Sequence, residues 1–411
     1  MEIPYPPIHG GRVDVWRRLK MLSKLGVELQ LVCWTRSAPK PEDVAVIKQY
    51  VQDFYPIVYK RNLGSLLRRF IDLFSYSLEV TSRILRGKDW DSVFMAVEAF
   101  QPDVIMADHV HCGIVALPLS QTLEVPMIVR SHDIEHLHYR YLMKAAKGYR
   151  KIARFLSQNH LELYEKNILR ESLAFYDISS DDLGYWESQG FTNGYFLPPL
   201  IEFPNQEASK TQLFTIANTP VKTSYDVVFL GNLVAENNVA GVAWFLQDIL
   251  PILKQKLPNI KVLIAGSNPV SQIKELCNQF GNNVDLNSNP STAFEIYQSG
   301  KVLINPVRIG SGVSIKSIDM LAAGRPIVSL PKGLVGLPEE VKKYFKVAQD
   351  ASSFAHEIYE CLTSNQYEVP EQAFLESLFG IKVIQVFIEQ LRELIQHKKT
   401  ISSEKLGTSN N

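Results

Sequence analysis

VLINPVRIGSGVSIKSIDMLAAGRPIVSL, residues 302–330, decides the fold. Val302 to Asn305 is a short apolar run and reads as a buried strand. Gly310-Ser311-Gly312 turns the chain, and Ile315, Ile318 and Ala322 then recur at i, i+3 and i+7, so they share one helix face. Gly324-Arg325-Pro326 stops that helix, and Pro326 to Leu330 reads as the next strand. Strand, glycine loop, helix, strand is a parallel α/β unit. Its helix N-terminus aims backbone N–H groups at whatever sits above the loop.

Two side chains give this unit chemistry. Lys316 falls in the first turn of the helix, where the macrodipole disfavours a cation and a bound anion would reverse the sign. Asp319 lies one turn further on, on the same side, and can accept two hydroxyl donors, as acidic residues do with a ribose in dinucleotide folds. Glycines, a lysine and a carboxylate suit a nucleotide diphosphate. A solvated Lys–Asp pair, worth roughly a few tenths of a kcal/mol, fits the same spacing.

At 411 residues the chain is too long for one ordinary core, so two domains are expected. Its 46% hydrophobic and 21% charged residues are those of a soluble globular protein. Lys+Arg equals Asp+Glu, which gives no support for nucleic acid as a partner. The four cysteines, Cys33, Cys112, Cys277 and Cys361, are far apart and form no CxxC, which points to a reducing compartment without a disulfide or zinc framework. No apolar run approaches the ~20 residues that span a bilayer. Met1-Glu2-Ile3-Pro4 is no signal peptide, and there is no repeat at solenoid spacing.

Outward from the opening stretch, strands and helices alternate in both halves, which predicts two doubly wound α/β domains. Pro4 to Gly11 is a loop whose Gly10-Gly11 pair lets a ligand approach the backbone, and a helix follows to Leu25. A strand should precede such a loop, yet only three residues come before Pro4, so the first strand is expected to be missing. Strands are predicted at 28–34, 54–59, 104–107, 126–130 and 175–179, with a long helical tract over 136–172. Leu63, Leu66, Leu67, Phe70, Ile71, Phe74 and Leu78 form a helical stripe beside Arg68 and Arg69. It predicts a core-facing helix with a solvated basic side; a helix lying on an anionic membrane is the alternative. Asp89-Trp90-Asp91 reads as a solvated turn. The second half restarts at Val227 and places strands at 261–266 and 284–286.

Asp108-His109 and Ser131-His132-Asp133 stand at the C-terminal ends of two strands, where open α/β sheets bind ligands. His132-Asp133-Ile134-Glu135-His136 also matches H-x-x-E-H, a zinc peptidase pattern. That pattern needs both histidines on one helix face. Here His132 falls in a strand-to-helix loop, which favours a polar group near a sugar or acceptor hydroxyl, or a helix cap.

Together these motifs resemble the retaining glycosyltransferases of the GT-B fold, the group 1 (family 4) class. Pro6-Pro7-x-x-Gly10-Gly11 is similar to that family's N-terminal glycine loop, and Arg130-Ser131-His132-Asp133-x-Glu135 to its R-x-H-N-x-E stretch. Phe229-Leu230-Gly231-Asn232 followed by Asn238 and Trp244 resembles the start of its donor domain. Gly310-x-Gly312-x-x-x-Lys316-x-x-Asp319 and Ala322-Ala323-Gly324-x-Pro326 resemble its donor loop and E-x7-E helix.

The resemblance implies two Rossmann-like domains facing a cleft: 1–200 on the acceptor side, a linker over 201–224, and 225–370 for the donor. A helix over 371–400 would cross back, and 401–411 would form a disordered tail. A UDP- or GDP-sugar donor, no cofactor and no metal are implied. Gly231, Asn232, Arg308, Ser311, Gly312, Val313, Ser314, Lys316 and Asp319 would hold the donor. Gly10, Gly11 and Asp133 would line the cleft, and His132, Lys316 and Asp319 would be catalytic. The implied reaction is sugar transfer, with retention, to a glycan or lipid-linked acceptor. The expected location is cytoplasmic, with peripheral contact to the inner membrane face left open. Three residues depart from the family, the first being Asp133, where the R-x-H-N-x-E stretch has Asn. Ser311 stands where the first Glu of E-x7-E falls, and Asp319 replaces the second. A catalytically impaired nucleotide-sugar-binding relative is therefore the rival reading, with the metallopeptidase third.

Overall fold

The computed structural model describes residues 2–8, 10–59, 63–203, 223–309, 312–364 and 367–408, the side chains of 145 and 401–408 excepted. The linker residues 204–222 and the loop residues Gly310 and Ser311 lie outside the described residues. The chain is α/β and divides into two units: Met1–Pro7 with Val15–Pro198 and Ile381–Asn411, and Ile8–Asp14 with Pro199–Gly380.

In the first unit, β1 (Gln30–Thr35) and β2 (Asp53–Val58) pair in parallel. A separate parallel sheet runs β3 (Ile105–Asp108), β4 (Met127–Ser131), β5 (Ala174–Asp177), β6 (Gly194–Phe196), in that order. Every residue of β4 and β5 is buried, as a parallel strand covered on both faces requires. The sequence shows no β6, because Gly194-Tyr195-Phe196 is too short for a period to register. Glycine is needed there, since a Cβ at Gly194 would meet the Phe175 ring at 2.5 Å.

The expected gap before the N-terminal loop is partly filled. Glu2 bridges in parallel to Trp34, and Ile3 N–H donates to Trp34 O at 3.2 Å. Helix α1 (Gly10–Lys24) follows.

The apolar stripe is a correction. Helix α2 (Leu63–Asp72) has no buried residue, and α3 (Leu78–Thr81) is a separate short helix. Leu63 is 87% exposed, Phe70 63% and Phe74 75%, so the stripe does not face the core. Asp89 and Asp91 are also not in a turn; they occupy the first turn of a helix, Lys88–Phe100.

The tract over 136–172 is three helices: α4 (Glu135–Ala145), α5 (Tyr149–Gln158) and α6 (Leu161–Glu171). Gly148 and His160, with φ of 57° and 60°, make the breaks. Apolar periodicity continues across a single residue of positive φ, so the sequence conceals them.

The second unit holds one six-stranded, all-parallel sheet. In chain order its strands are β7 (Tyr225–Asn232), β8 (Val262–Ser267), β9 (Val284–Ser288), β10 (Gly300–Asn305), β11 (Ile327–Ser329) and β12 (Phe345–Val347). In space the order is β12-β11-β10-β7-β8-β9. The strand order reverses between β7 and β10, and in such sheets ligands bind beyond the strands' carboxyl ends at that reversal. Helices α7 (Glu236–Trp244) and α8 (Ile315–Ala322) follow β7 and β10. Apolar residues on the two faces of the sheet form separate clusters, one around Phe229 and Ile304, the other around Val228 and Leu303.

The C-terminal segment differs from the expected single crossing helix. Helix α9 (Gln372–Phe379) belongs to the second unit, and α10 (Ile381–Thr408) to the first. Gly380 separates them, its N–H bonded to Glu376 O at 3.0 Å; a Cβ there would meet the same oxygen at 2.5 Å. The tail expected to be disordered from 401 continues α10 as far as Thr408.

Candidate functional site

The reversal point in the second unit collects most of the predicted donor residues. Gly231-Asn232 ends β7, and Asn305 ends β10. Gly231 lies close under neighbouring chain: a Cβ there would meet the Phe229 ring at 3.0 Å and Asn238 Nδ2 at 3.1 Å. Asn238, on α7, donates from Nδ2 to Asn232 O at 2.9 Å. That bond fixes the amide orientation and turns Oδ1 toward Lys316, whose Nζ donates to it at 2.5 Å. The same ammonium sits 4.6 Å from the centre of the Phe229 ring, at cation–π range. Burial lowers the Lys316 pKa to about 7. The site thus sets an ammonium against one neutral oxygen and one ring, in surroundings that favour the arrival of an anion.

The helix end above β10 is built by hydroxyls and one amide. Asn305 Nδ2 donates to Ser314 Oγ (3.2 Å) and Ser317 Oγ (3.0 Å), and Ser317 Oγ donates to Gly333 O at 2.7 Å. Ser314 is the N-cap residue, and Gly312, with φ of 70°, makes the turn into it past Val313. Asn305 Oδ1 is buried without a hydrogen-bond partner among the described residues. Asn305 carries no motif, and its position at a strand terminus was the only sequence signal for it. Of the predicted loop, Ser311 lies outside the described residues.

Asp319 lies on α8 one turn beyond Lys316. Arg308 is exposed, its guanidinium 5.2 Å over the Trp244 ring. Residues 8–14 belong to the second unit, and there Gly10 meets the start of α8: a Cβ at Gly10 would touch Ile315 Cγ1 at 3.3 Å. Gly11 is the next residue of α1.

The first unit brings together a second polar group. Asp108, at the end of β3, accepts from Arg18 Nη2 at 2.6 Å and lies 2.6 Å from His132 Nε2. The His132 ring stacks on His109 with centroids 3.9 Å apart. His109 holds φ of 72°, an unusual backbone for a residue with a Cβ. Burial alone would raise the Asp108 pKa, but Arg18 and then His132 outweigh it and hold the carboxyl well below its usual range. Burial, then the neighbouring His132, drives the His109 pKa down. Asp133 stands in the loop after β4, where Ser131 Oγ reaches its carbonyl at 3.4 Å.

Ligand atoms of Asp108, His109 and His132 lie within 4.8 Å of one another, close enough to share a metal ion. The Arg18 guanidinium on Asp108 already supplies the positive charge there and would repel a second cation. The zinc peptidase pattern is not assembled. His136 Nδ1 lies 2.6 Å from Glu165 Oε2 and faces Tyr185 OH at 3.2 Å, whereas His132 bonds Asp108. Glu165 also accepts the Glu135 and His136 backbone N–H groups at the start of α4, so this carboxylate caps the helix and the His136 ring is one of its partners.

Residues 224–364 match the family model described as glycosyl transferases group 1. A 44.6 kDa protein in the cps region of Klebsiella pneumoniae is 27% identical over 390 residues, covering 91% of this chain and 92% of its own. Among solved structures, Anabaena Alr3699/HepE in complex with UDP superposes with a TM-score of 0.64 at 12% identity, over 95% of this chain and 98% of that one. The same protein was solved with UDP-glucose. Sucrose-phosphate synthase from Thermosynechococcus elongatus gives 0.61 at 14% identity, over 96% and 97%. The fold is the GT-B type, two Rossmann-like units, and residues 224–364 carry the group 1 glycosyl transferase signature.

Proposed function

We propose that this chain transfers a sugar from a nucleotide-diphosphate sugar, a UDP- or GDP-sugar, to a glycan or lipid-linked acceptor with retention of configuration. The observation that carries the reading is Lys316: a buried ammonium on Asn238 and Phe229, at the start of α8, beside the carboxyl ends of β7 and β10. An ammonium whose pKa has fallen to about 7 regains its proton when a diphosphate arrives, and then neutralises the charge that grows as the sugar–phosphate bond breaks. The N–H groups of Ile315 and Lys316 precede the first backbone bond of α8, which Ser317 makes to Ser314 O, and add to the same stabilisation.

In this reading Asp319 takes the ribose hydroxyls, and Gly231, Asn232, Gly312, Val313 and Ser314 let the donor approach the backbone. Arg308 is a further diphosphate contact, and Ser311, a serine where the family has glutamate, bears on which donor sugar is accepted. His132, oriented by Asp108, meets the donor sugar or the acceptor hydroxyl, with Gly10, Gly11 and Asp133 around the reacting groups. The charge stabilisation comes from side chains and backbone, without a metal. Similarity to a protein of a cps region supports polysaccharide assembly as the setting, and the reaction runs in the cytoplasm in this reading.

Sugar release from UDP- and GDP-sugars tests this. Activity in the native protein and its loss in Lys316→Ala supports transfer. Ser311, in place of the family's glutamate, favours one rival, a binding protein without turnover. Tight nucleotide-sugar binding with no release from any donor would establish that rival.

A further inference from the structure

The first unit carries a cavity of about 320 Å³ that the transfer reaction does not use. Its lining includes five arginines, Arg36, Arg68, Arg69, Arg83 and Arg86, against three carboxylates, Glu2, Asp72 and Asp89. Arg86 is spent on Asp72, which it grips at 2.7 and 2.8 Å. Arg69 Nη2 only reaches Leu78 O at 3.4 Å, and Arg83 Nη1 donates to Glu79 O at 2.8 Å. The Nε atoms of both are buried without a hydrogen-bond partner among the described residues. Buried guanidinium N–H groups left open cost free energy unless an acceptor fills them, and a phosphate oxygen is the acceptor that fits their geometry.

One wall of this cavity is α2, and α2 shows solvent a continuous apolar face. Leu63, Leu66, Leu67, Phe70, Ile71 and, just beyond it, Phe74 are between 56% and 87% exposed. A helix of this kind gains nothing from the protein core. It does gain from an interface with apolar depth below and negative charge at the surface. Helix α3 contacts both α2 and α5, and α5 repeats the pattern with Tyr149, Ile152 and Phe155 exposed among Lys151 and Arg154. Arginine-rich cavity and apolar helix face share α2, and a membrane lipid presents phosphate and hydrocarbon side by side.

We infer that this cavity binds the phosphate of an anionic membrane lipid, and that the apolar face of α2 seats the first unit in the bilayer surface. The inference stands apart from the transfer reaction and holds whether or not the chain turns over a donor.

Flotation of the full-length protein with vesicles tests it. The protein rises with phosphatidylcholine vesicles containing about 30% phosphatidylglycerol and stays behind with phosphatidylcholine alone. Arg68→Ala with Arg69→Ala lowers partitioning by about 25-fold, from a loss of about fivefold per arginine at an anionic surface. Phe70→Ser with Phe74→Ser lowers it by more than about tenfold. Arg68→Glu, at an exposed position, guards against a folding artefact in the double variant, and all variants keep the native melting profile. Equal partitioning to both vesicle types, or wild-type partitioning in the arginine variants, overturns the inference. Binding of inorganic phosphate in free solution without vesicle binding would make this a soluble-anion site and also overturns it. A dimer that the phenylalanine variants dissociate would assign the face to a second copy, with the same consequence.

Discussion

The Lys316 ammonium lies 2.5 Å from Asn238 Oδ1, and Asn238 is itself anchored to Asn232 O at 2.9 Å. This chain of contacts joins the end of β7 to the first turn of α8 and leaves the lysine poised near neutrality, with its pKa lowered to about 7 by burial. A bound diphosphate restores the ordinary value, so nucleotide binding at pH 8 takes up about one proton. Calorimetry in buffers of different ionisation enthalpy reads that uptake directly. Lys316→Gln abolishes it and weakens UDP or GDP binding by at least about tenfold, the worth of one charge-assisted hydrogen bond. Proton uptake that survives the substitution would put the diphosphate elsewhere.

Without nucleotide the same lysine affects folding stability. Its folded pKa of about 7 is below its unfolded value of 10.5, so the unfolded chain holds more protons between those limits. Stability therefore rises with pH across that window, at up to about 1.4 kcal/mol per pH unit. Urea melts between pH 7 and 10 show the rise, and Lys316→Met removes it.

Asp108 joins two partners, Arg18 and His132, each at 2.6 Å. Asp108→Asn removes the negative charge from the buried pair with Arg18 and costs about 3–5 kcal/mol, as breaking a buried ion pair does. His132→Gln keeps the Arg18–Asp108 pair, so its effect appears in turnover rather than in melting temperature. Equal loss of melting temperature in the two variants would show that His132 is a structural residue.

His111 and Glu135, 3.6 Å apart, have opposite pH signatures. Burial, then Arg83 and His138, lowers the His111 pKa from 6.5 to about 3. The unfolded chain binds the extra proton as pH falls below 6.5, so stability is lost progressively from there down to about 3, by about 1.4 kcal/mol per pH unit. Burial, then Asp133 and Glu165, raises the Glu135 pKa well above 4.5. There the folded state holds the extra proton, and stability falls as pH rises above 4.5. Glu135→Gln is accordingly more stable than the native chain at pH 8 and no more stable at pH 4. The reverse order would remove burial as the cause.

Gly266 faces Gly231 across the β7–β8 pair, where a Cβ would stand 1.8 Å from Gly231 O. Gly266→Ala must push the strands apart beside the predicted donor site. It lowers stability by about 3 kcal/mol or more, at the upper end of overpacking penalties. An unchanged urea midpoint would mean that β8 shifts without cost.

The sequence is most legible where period and punctuation agree. Residues 302–330 read as strand, loop, helix and strand, and β10, α8 and β11 follow that reading, with the glycine turn at Gly312 and the stop at Gly324. The H-x-x-E-H spacing failed because Asp108 and Glu165, both far away in sequence, claim the two histidines separately. The stripe on α2 failed for a different reason. Spacing states that residues share a face and is silent about what covers it, and here the described protein does not. Arg18 carries no sequence signal and Asn305 only its place at a strand end, since the importance of both comes from partners that tertiary contact supplies.

Helix α10 returns to the first unit after the whole of Pro199–Gly380 has been spent on the second, and Phe387 packs edge-on to Tyr176 with ring centroids 4.8 Å apart. On the ribosome, then, most of the second unit emerges as one run, Pro199–Gly380, and can mature while the first still waits for a closing piece made after it. Premature termination after Gly380 would strand an otherwise complete N-terminal sheet with Tyr176 uncovered, and quality-control proteases would meet that half first.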